Sequence, residues 1–407
     1  MATQTMSSPA PVAIDSRALV PGPAAITAAV IALAAWYLYA AISWRQAALF
    51  LVGTSAGVVL YHAAFGFTSS WRVFISDRRG AGLRAQMLML AITCAVFFPV
   101  IAAGTFWGQP VRGSVSPVGV GVAAGAFIFG LGMQLGGGCA SGTLFSVGGG
   151  STRMLVTLFF FIIGSVIGTA HTPWWNAQPS FAATSVVTLW GPWLGLAVCF
   201  ALFGGIAWFT RVAEQRRHGK LVDETRAANG PRWLTGPWPL VAGAVGLAAV
   251  NIATLVIGGR PWGVTSAFAL WGAKLFATLG VDVASWAYWT TPAQATALRS
   301  SVLMDVTSVM DFGIILGALT AAILAGKFAP VWKVSNRSLA AAVIGGLLLG
   351  YGARIAYGCN IGAYFSGIAS GSLHGWLWLV AAFAGNIVGT RLRPVFDLNV
   401  EKTQTAC

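Results

Sequence analysis

Two cysteines sit in glycine-rich motifs that resemble each other. GGGCASG (136–142) surrounds Cys139, and YGCNIG (357–362) surrounds Cys359. A thiol is a weak, polarizable hydrogen-bond donor that suits brief contact with a soft anion, whereas its thiolate can attack a sulfur centre. The motifs therefore predict either a path for a sulfur-containing anion or covalent thiol chemistry, and the residue types alone leave both open.

The two motifs belong to a longer duplicated pattern. Written over each other, GLGMQLGGGCASGTLF (130–145) and GYGARIAYGCNIGAYF (350–365) share glycines, the cysteine and the last phenylalanine at an offset of 220. Downstream, GSVIGT (164–169) matches GNIVGT (385–390). Upstream, GFTSSW (66–71) matches GVTSAF (263–268) more weakly. A duplication of this kind predicts two structural repeats.

The composition predicts an all-α polytopic membrane protein. Of the 407 residues, 57% are hydrophobic and 8% are charged, whereas a soluble domain carries about a quarter charged residues. About ten apolar spans are predicted. They cover 24–43, 47–66, 85–104, 115–135, 153–171, 188–210, 237–258, 302–326, 338–357 and 376–392.

The distribution of basic residues predicts the orientation of the spans. Lys and Arg concentrate in the loops 67–84, 211–234 and 327–337, and the loop 172–187 has none. Under the positive-inside rule the basic loops are cytoplasmic, and so are both termini. This rule accounts for most of the net charge of +14, and nucleic-acid binding is not expected because no basic domain stands outside the membrane.

With this topology, the first cysteine motif follows an inward-running span and the second follows an outward-running span. The sequence therefore predicts two inverted pseudo-symmetric repeats, the usual architecture of transporters. Arg260, Lys274 and Arg299 fall on the outer side, where they could line an entrance for anions. The segment 263–300 is predicted to form short helices or a re-entrant element.

The predicted organisation has five parts. They are a disordered cytoplasmic tail (1–23), a first transmembrane repeat (24–210), a basic cytoplasmic linker (211–234), a second transmembrane repeat (235–393) and a cytoplasmic tail (394–407).

The glycines predict that the cysteine motifs are re-entrant loops at a central constriction. Residues 136–150 contain seven glycines, and such a stretch is tolerated in a membrane only when it is buried in protein or lines a cavity. A helix that begins after each loop directs its N–H groups towards the loop, which favours an anion. Arg354 lies one turn before Cys359, and the repeat pairs it with Gln134. The predicted substrate path consists of Cys139, Cys359, Gly138, Ser141, Gly142, Gly358, Asn360, Gly362, Arg354, Gln134, Thr68, Ser69, Thr265 and Ser266.

The sequence offers few other candidate functional residues. Asp305 and Asp311 lie in the eighth span and could carry protons or pair with a basic residue. Cys94 and Cys199 lie inside apolar runs and are interpreted as packing residues. No cofactor, metal site or nucleotide motif is predicted, so an ATP-driven or enzymatic chain is not expected.

At these motifs the chain resembles the YeeE/YedE family of bacterial sulfur-compound transporters. The resemblance is carried by GGGCASGTLF, YGCNIGAYF, GFTSSWR with the following GLRAQMLMLA, and DVTSVMDFGIILGA (305–318), and it extends over about residues 25 to 393. It implies uptake of thiosulfate or a related sulfur anion across the inner membrane. It also implies an hourglass-shaped helical bundle in which Cys139 and Cys359 pass the anion along through S–H hydrogen bonds.

One departure from the family leaves the substrate open. Members can carry a third cysteine in the first loop element, where this chain has Thr68, Ser69 and Ser70. A hydroxyl is a harder and stronger donor than a thiol, so a different sulfur anion or a selenium-containing one is an alternative to thiosulfate. Further alternatives are a membrane redox enzyme or sulfur transferase that uses both thiols covalently, and a transporter or channel for another small anion or solute. The expected partners are the anion and the lipid bilayer, and a cytoplasmic sulfur-carrier protein stays an open question.

Overall fold

The computed structural model describes residues 21–221, 233–330 and 332–400. Residues 1–20 of the predicted cytoplasmic tail, residues 222–232 of the basic linker and residues 401–407 of the last tail lie outside the described residues. The first helix begins at Pro21, three residues earlier than predicted. The helix before the linker continues to His218, so the first part of the linker is helical.

The described residues are almost entirely helical. The helices are α1 (Pro21–Ala41), α2 (Trp44–His62), α3 (Phe67–Asp77), α4 (Ala81–Ala103), α5 (Val120–Gly136), α6 (Ala140–Gly148), α7 (Thr152–Asn176), α8 (Val186–His218), α9 (Leu240–Gly258), α10 (Thr265–Thr278), α11 (Pro292–Arg299), α12 (Val306–Leu324), α13 (Asn336–Ile355), α14 (Ser366–Ala369) and α15 (Leu373–Leu392). A π-helical segment spans Asn360–Phe365, and short 3-10 turns span Val283–Ser285, Val302–Met304 and Arg393–Phe396.

Extended structure is confined to two small antiparallel ribbons among the described residues. One pairs β1 (Thr105–Phe106) with β2 (Gln109–Pro110), and the other pairs β3 (Val118–Gly119) with β4 (Ser180–Phe181). The second ribbon joins the start of α5 to the connection between α7 and α8. Both ribbons lie in connections between helices, so the fold is all-α as predicted.

Ten helical stretches of the described chain are long and apolar enough to cross a membrane, which confirms a multi-pass membrane protein. The predicted span 85–104 corresponds to α4, and the span 376–392 corresponds to α15. The segment 263–300 contains the short helices α10 and α11, as predicted. The helix α8 is broken near its start at Gly191, where φ is 75°.

The helices pack in reciprocal pairs. The helix α2 packs on α12, and α4 packs on α9. In the same way α5 packs on α15 and α7 packs on α13, while α5 and α13 pack on each other. In the duplicated pattern α2 corresponds to α9 and α4 to α12, so the α2–α12 and α4–α9 contacts are counterparts. Likewise α5 corresponds to α13 and α7 to α15, so the α5–α15 and α7–α13 contacts are counterparts.

Glycines bring the backbones of these pairs together. Gly164 on α7 meets the backbone of Leu347, and Gly385 on α15 meets the backbone of Phe127. Leu347 and Phe127 are themselves 220 residues apart, so the two contacts are equivalent under the duplication. Close approach of this kind stabilises helix association in membranes through packing, and it explains GSVIGT and GNIVGT as packing motifs.

Candidate functional site

The first cysteine motif breaks one helix and starts the next. The helix α5 ends where Gly137 adopts φ of 94°, a left-handed conformation that favours glycine. Cys139 then occupies the N-cap of α6, and its sulfur accepts a hydrogen bond from the N–H of Gly142 at 3.4 Å. The same sulfur lies 3.4 Å from the Ser141 hydroxyl, and Thr143 donates to the Cys139 carbonyl at 2.8 Å. The Cys139 thiol is therefore buried and already engaged with its own loop.

The second cysteine motif has a different local structure. Tyr357 adopts φ of 59° and Gly358 φ of 149°, so two consecutive residues hold conformations that L side chains rarely take. Cys359 precedes the π-helical segment, and its side chain makes no capping hydrogen bond. Trp378 on α15 donates to the Gly358 carbonyl at 3.2 Å and fixes the turn. The Cys359 thiol is fully buried but is not committed to a cap.

The two cysteine loops meet in the interior of the bundle. The helix α6 contacts the π-helical segment, and Cys139 and Cys359 belong to one buried cluster. The Cys359 sulfur lies within electrostatic range of Cys139. The structure therefore brings together the two thiols that the sequence placed 220 residues apart.

A pocket of about 280 Å³ opens beside the second cysteine loop. Three arginines from different parts of the chain line it: Arg112, Arg260 and Arg354. Gly358 and Gly362 also line it, and a Cβ placed on Gly362 would meet no atom within 4 Å. We call this cavity the arginine pocket. Three cationic side chains around an open space beside a thiol loop suit a small anion.

Hydroxyl groups complete the wall of the arginine pocket. Thr265 and Ser266 line it at the start of α10, and the helix has no side-chain cap at this end. The Ser266 hydroxyl donates to Thr307 Oγ1 at 3.0 Å. Arg260 Nη2 lies 3.4 Å from Thr307 Oγ1 and 3.8 Å from a carboxylate oxygen of Asp305. The positive end of α10 thus adds to the field of the arginines.

Arg354 contacts the connection between α10 and α11. Its Nη1 donates to the Tyr288 hydroxyl at 3.0 Å, and its guanidinium carbon lies 5.2 Å from the centre of the Tyr288 ring. Of the other basic residues considered for an anion entrance, Lys274 donates to the carbonyls of Leu298 and Ser300 at 2.6 and 2.7 Å. Lys274 is thus a structural tie between α10 and the end of α11. Arg299 ends α11 and does not line the arginine pocket.

Gln134, the repeat counterpart of Arg354, lies in a network of protein hydrogen bonds. Its side chain accepts from Arg72 at 3.3 Å and donates to the Thr68 carbonyl at 3.2 Å and to Asn386 at 2.5 Å. Its backbone carbonyl accepts from Arg393 at 2.6 Å. The structure therefore places Gln134 where it ties α3, α5 and α15 together, and its side-chain oxygen and nitrogen already have protein partners.

The remaining predicted path residues divide between buried and open positions. The Thr68 hydroxyl is buried and has no hydrogen-bond partner among the described residues. Ser69 donates to the Gly66 carbonyl at 3.1 Å and lines a pocket of about 330 Å³ together with Arg79. This second pocket lies at the end of the bundle where the basic connection between α3 and α4 is found.

Two buried polar side chains near the second loop lack partners. Both polar atoms of Asn360 and both carboxyl oxygens of Asp311 are fully buried and make no hydrogen bond within the described chain. Asp305, by contrast, accepts from the N–H and the hydroxyl of Ser308 at 2.7 Å. Unsatisfied buried polar groups are rare in proteins and mark places where a ligand, water or proton is held.

The other buried cysteines lie away from the arginine pocket. Cys94 on α4 and Cys199 on α8 are buried in the main apolar cluster. The Cys94 sulfur lies 3.8 Å from the Ile368 carbonyl. Both positions are consistent with the interpretation of these residues as packing residues.

Sequence reasoning missed several residues in or beside the arginine pocket. Arg112 lines the pocket from a short connection before α5. Tyr288 contacts Arg354 from the connection between α10 and α11. Ser114 joins the connection to the second loop, since its hydroxyl donates to the Gly362 carbonyl at 3.4 Å. The sequence could have indicated Arg112 as a candidate, because it is a basic residue in a loop predicted to be on the outer side. No sequence signal indicated Tyr288, because its contact is with Arg354, which lies 66 residues further along the chain.

Comparison with known proteins defines the class of this chain. The model of a family described as "Sulphur transport" matches residues 62–388. The chain belongs to this family, which confirms the YeeE/YedE resemblance.

Individual relatives agree with this class. The chain is 27% identical to "Thiosulfate transporter TsuA" of Spirochaeta thermophila over 83% of this chain and 95% of the relative. It is 23% identical to the TsuA of Escherichia coli over 82% of this chain and 91% of the relative. It is 32% identical to "Probable transporter YedE" of Escherichia coli, where the match covers 42% of each chain. The chain thus spans less than half the length of the YedE relatives that it matches.

Proposed function

We propose that the chain imports thiosulfate, or a closely related sulfur anion, across the bacterial inner membrane. The observation that carries the proposal is the arginine pocket, in which three cationic side chains face the loop that holds Cys359. Membership of the sulphur transport family supports the substrate class. The two relatives named as thiosulfate transporters align over most of their length and support thiosulfate in particular.

In the proposed path the anion first binds in the arginine pocket and then passes the two cysteines. Arg112, Arg260 and Arg354 attract the anion, and the hydroxyls at the start of α10 replace part of its hydration. Cys359 takes the anion next, because its thiol is free of a capping bond, and Cys139 follows. A thiol binds the anion weakly, which permits release, as conduction requires.

We also propose that the two halves are inverted repeats and that their cysteine loops are re-entrant. The reciprocal packing of α2 on α12 and of α4 on α9 supports this, as do the equivalent contacts of Gly164 and Gly385. With the basic connections in the cytoplasm, the arginine pocket opens to the outer side and both termini are cytoplasmic. A binding site between inverted repeats is the usual arrangement in secondary transporters.

The membrane potential opposes this transport. Moving one negative charge inward against 100 mV costs about 2.3 kcal/mol, so a dianion costs about 4.6 kcal/mol. Accumulation therefore requires a coupled ion or rapid consumption inside the cell. A cytoplasmic sulfur-carrier protein is the kind of partner that would consume the anion.

The test is uptake of sulfur-35 thiosulfate into cells that lack their other thiosulfate importers. The natural chain is compared with Cys139→Ala, Cys359→Ala and the control Cys94→Ala, each checked for its amount in the membrane. We expect uptake by the natural chain and the control and its loss in the other two variants. Cys94 is a matched control because it is also a buried thiol.

Two outcomes would contradict the proposal in different ways. No uptake by a well-expressed natural chain would remove thiosulfate as the substrate, and selenium-containing or other sulfur anions would be tested next. Full uptake by the double variant Cys139→Ala/Cys359→Ala would retain transport but exclude a path that depends on the two thiols.

A further inference from the structure

Asp311 is a carboxyl group that the proposed path does not use. It lies on α12 and is fully buried, and neither of its oxygens has a hydrogen-bond partner among the described residues. An unpaired charge inside a membrane protein is costly, and ionisable residues in such places are usually functional. Asp311 differs from Asp305 on the same segment, which caps α12 and faces Arg260.

The packing of α12 directs Asp311 towards the cysteine loops. Gly148 near the end of α6 packs against Ile315 and Ala318 of α12. Asp311 lies one turn before Ile315 on the same face, because residues i and i+4 share a helix face. Two residues after Gly148, Gly150 meets Phe328, beyond the end of α12, so the two segments advance in the same direction. We infer that Asp311 lies beside an earlier turn of α6, whose N-cap is Cys139. The Cys359 sulfur is within electrostatic range of the Asp311 carboxyl.

No cation among the described residues neutralises this carboxyl. The elements packed on α12 are α1, α2, α6, α10 and the turn that precedes it. Their titratable groups are Tyr37, Tyr39, Arg45, Tyr61, His62 and Lys274. Lys274 is bound to two carbonyls, and Arg45 lies over the Trp44 ring. Tyr61 and His62 lie in the last turn of α2. The groups that interact electrostatically with Asp311 are Asp305 and Cys359, and neither is a cation.

The state of the carboxyl determines how it acts on an anion. A protonated carboxylic acid donates a hydrogen bond to a passing anion, whereas a carboxylate repels it. Asn360 follows Cys359 directly and offers an unpartnered amide beside it. A neutral Asp311, the Cys359 thiol and the Asn360 amide together would supply three donors in the interior of the bundle.

We propose that Asp311 binds the proton that couples uptake of the sulfur anion to proton influx. The inference rests on the proposed function. The proton comes from the outer solution, binds the carboxylate as the anion enters, and leaves to the cytoplasm after the anion is released. One proton carried with a dianion reduces the net charge moved from two negative charges to one, so the membrane potential opposes uptake less.

The test uses the full chain in proteoliposomes whose membrane potential is clamped at zero with potassium and valinomycin. The outer solution contains sulfur-35 thiosulfate and is made one pH unit more acidic than the lumen. For one coupled proton, the natural chain is expected to accumulate thiosulfate transiently up to about tenfold above the outer concentration, since one pH unit is a tenfold proton ratio.

The variant Asp311→Asn keeps the size and a donor of the side chain but cannot bind a proton. It should equilibrate thiosulfate without accumulation at any outer pH, because no proton enters with the anion. Exchange of labelled for unlabelled thiosulfate should remain measurable, at a rate that no longer depends on the outer pH. Asp397→Asn is the control, because Asp397 is exposed and pairs with Arg337, and it should accumulate thiosulfate like the natural chain.

The outcomes separate this inference from the proposed function. Accumulation by Asp311→Asn equal to that of the natural chain would overturn the role of Asp311. Thiosulfate exchange by the natural chain without any response to the pH difference would overturn proton coupling and leave the proposed function standing. No thiosulfate transport of any kind by the natural chain would contradict the proposed function itself.

Discussion

The two cysteine loops share a sequence motif but differ in local structure. Cys139 caps a regular α-helix, and its sulfur is engaged by Gly142 and Ser141. Cys359 starts a π-helical segment without a cap, after two residues at positive φ. The duplication therefore provides two buried thiols in different settings: Cys139 caps its own helix, and Cys359 caps none. Segments of π-helix are rare and occur frequently at functional sites.

The loops also differ in what surrounds them. The second loop lines the arginine pocket through Gly358 and Gly362. The first loop is followed by Arg153, whose guanidinium donates to the carbonyls of Leu135 and Gly136 at 2.6 and 2.8 Å. Arg153 therefore provides hydrogen-bond donors to the last carbonyls of α5 and stabilises the first loop. We infer that the second loop contributes more to anion binding than the first loop, which Cys139 and Arg153 hold in place.

The largest expected effect is the difference between alanine variants of Gly358 and Gly138, the glycines that precede the two cysteines. Gly358→Ala places a Cβ 2.9 Å from the Ala363 nitrogen at φ of 149°, and such backbone strain costs about 1–3 kcal/mol. We expect loss of uptake and a lower Tm of the detergent-solubilised protein. Gly138→Ala should be milder, because Gly138 does not adopt a positive φ and its closest neighbour is the terminal methyl of Met154 at 3.0 Å.

The control for this prediction is Gly362→Ala. A Cβ at Gly362 meets nothing within 4 Å, so the Tm should match that of the natural chain. Equal losses of Tm in Gly358→Ala and Gly138→Ala would show that the two loops are mechanically equivalent and would remove the contrast between them.

The next prediction compares Arg354 with its counterpart Gln134. Arg354→Gln removes one of three charges from the arginine pocket, and a hydrogen bond to a charged group contributes about 1.5–3 kcal/mol. The KM for thiosulfate should therefore rise about tenfold or more, with the amount of protein unchanged. Gln134→Leu should instead lower the Tm, because it removes buried hydrogen bonds to Arg72, Asn386 and Thr68.

Arg337→Gln is the matched control, because Arg337 is exposed and pairs with Asp397 at 3.1 Å. Its KM should not change. If Arg354→Gln left the KM unchanged at low and high salt, the arginine pocket would not be the first binding site. A Tm of Gln134→Leu equal to that of the natural chain would contradict the structural role of the network.

The sequence predicts the fold well and the contrast between the loops poorly. The ten spans follow from hydropathy alone, because a membrane requires about twenty apolar residues for each crossing. The alignment of the motifs locates both cysteines and pairs Arg354 with Gln134. The different environments of Arg354 and Gln134 could not be predicted, since Arg72 reaches Gln134 from α3 and Tyr288 reaches Arg354 from the connection between α10 and α11.

The π-helical start of the second loop was also beyond prediction. Both motifs contain a glycine before and a glycine three residues after the cysteine, so local propensity treats them alike. The difference arises where Tyr357 replaces the left-handed Gly137 and Trp378 holds the Gly358 carbonyl. Such a choice between helix types depends on tertiary contacts, which outweigh propensity.

The smallest expected effect tests the contrast between the cysteines most directly. Cys139→Ser retains a side chain that accepts from the Gly142 N–H, and serine is a favoured N-cap residue. Uptake should therefore stay within about threefold of the natural chain, a change of less than 1 kcal/mol. Cys359→Ser should reduce uptake by more than Cys139→Ser, because no cap is retained and a harder donor faces the anion. Both are measured as initial rates of sulfur-35 thiosulfate uptake, normalised to the amount of protein in the membrane.

The order of the two serine variants decides between two accounts of the duplication. If Cys139→Ser lowers uptake as much as Cys359→Ser, both thiols bind the anion in turn and the capping bond of Cys139 must open in each cycle. If Cys139→Ser is nearly neutral while Cys139→Ala is inactive, the first loop requires a capping acceptor and not sulfur. That second result would leave Cys359 as the thiol whose chemistry selects the anion.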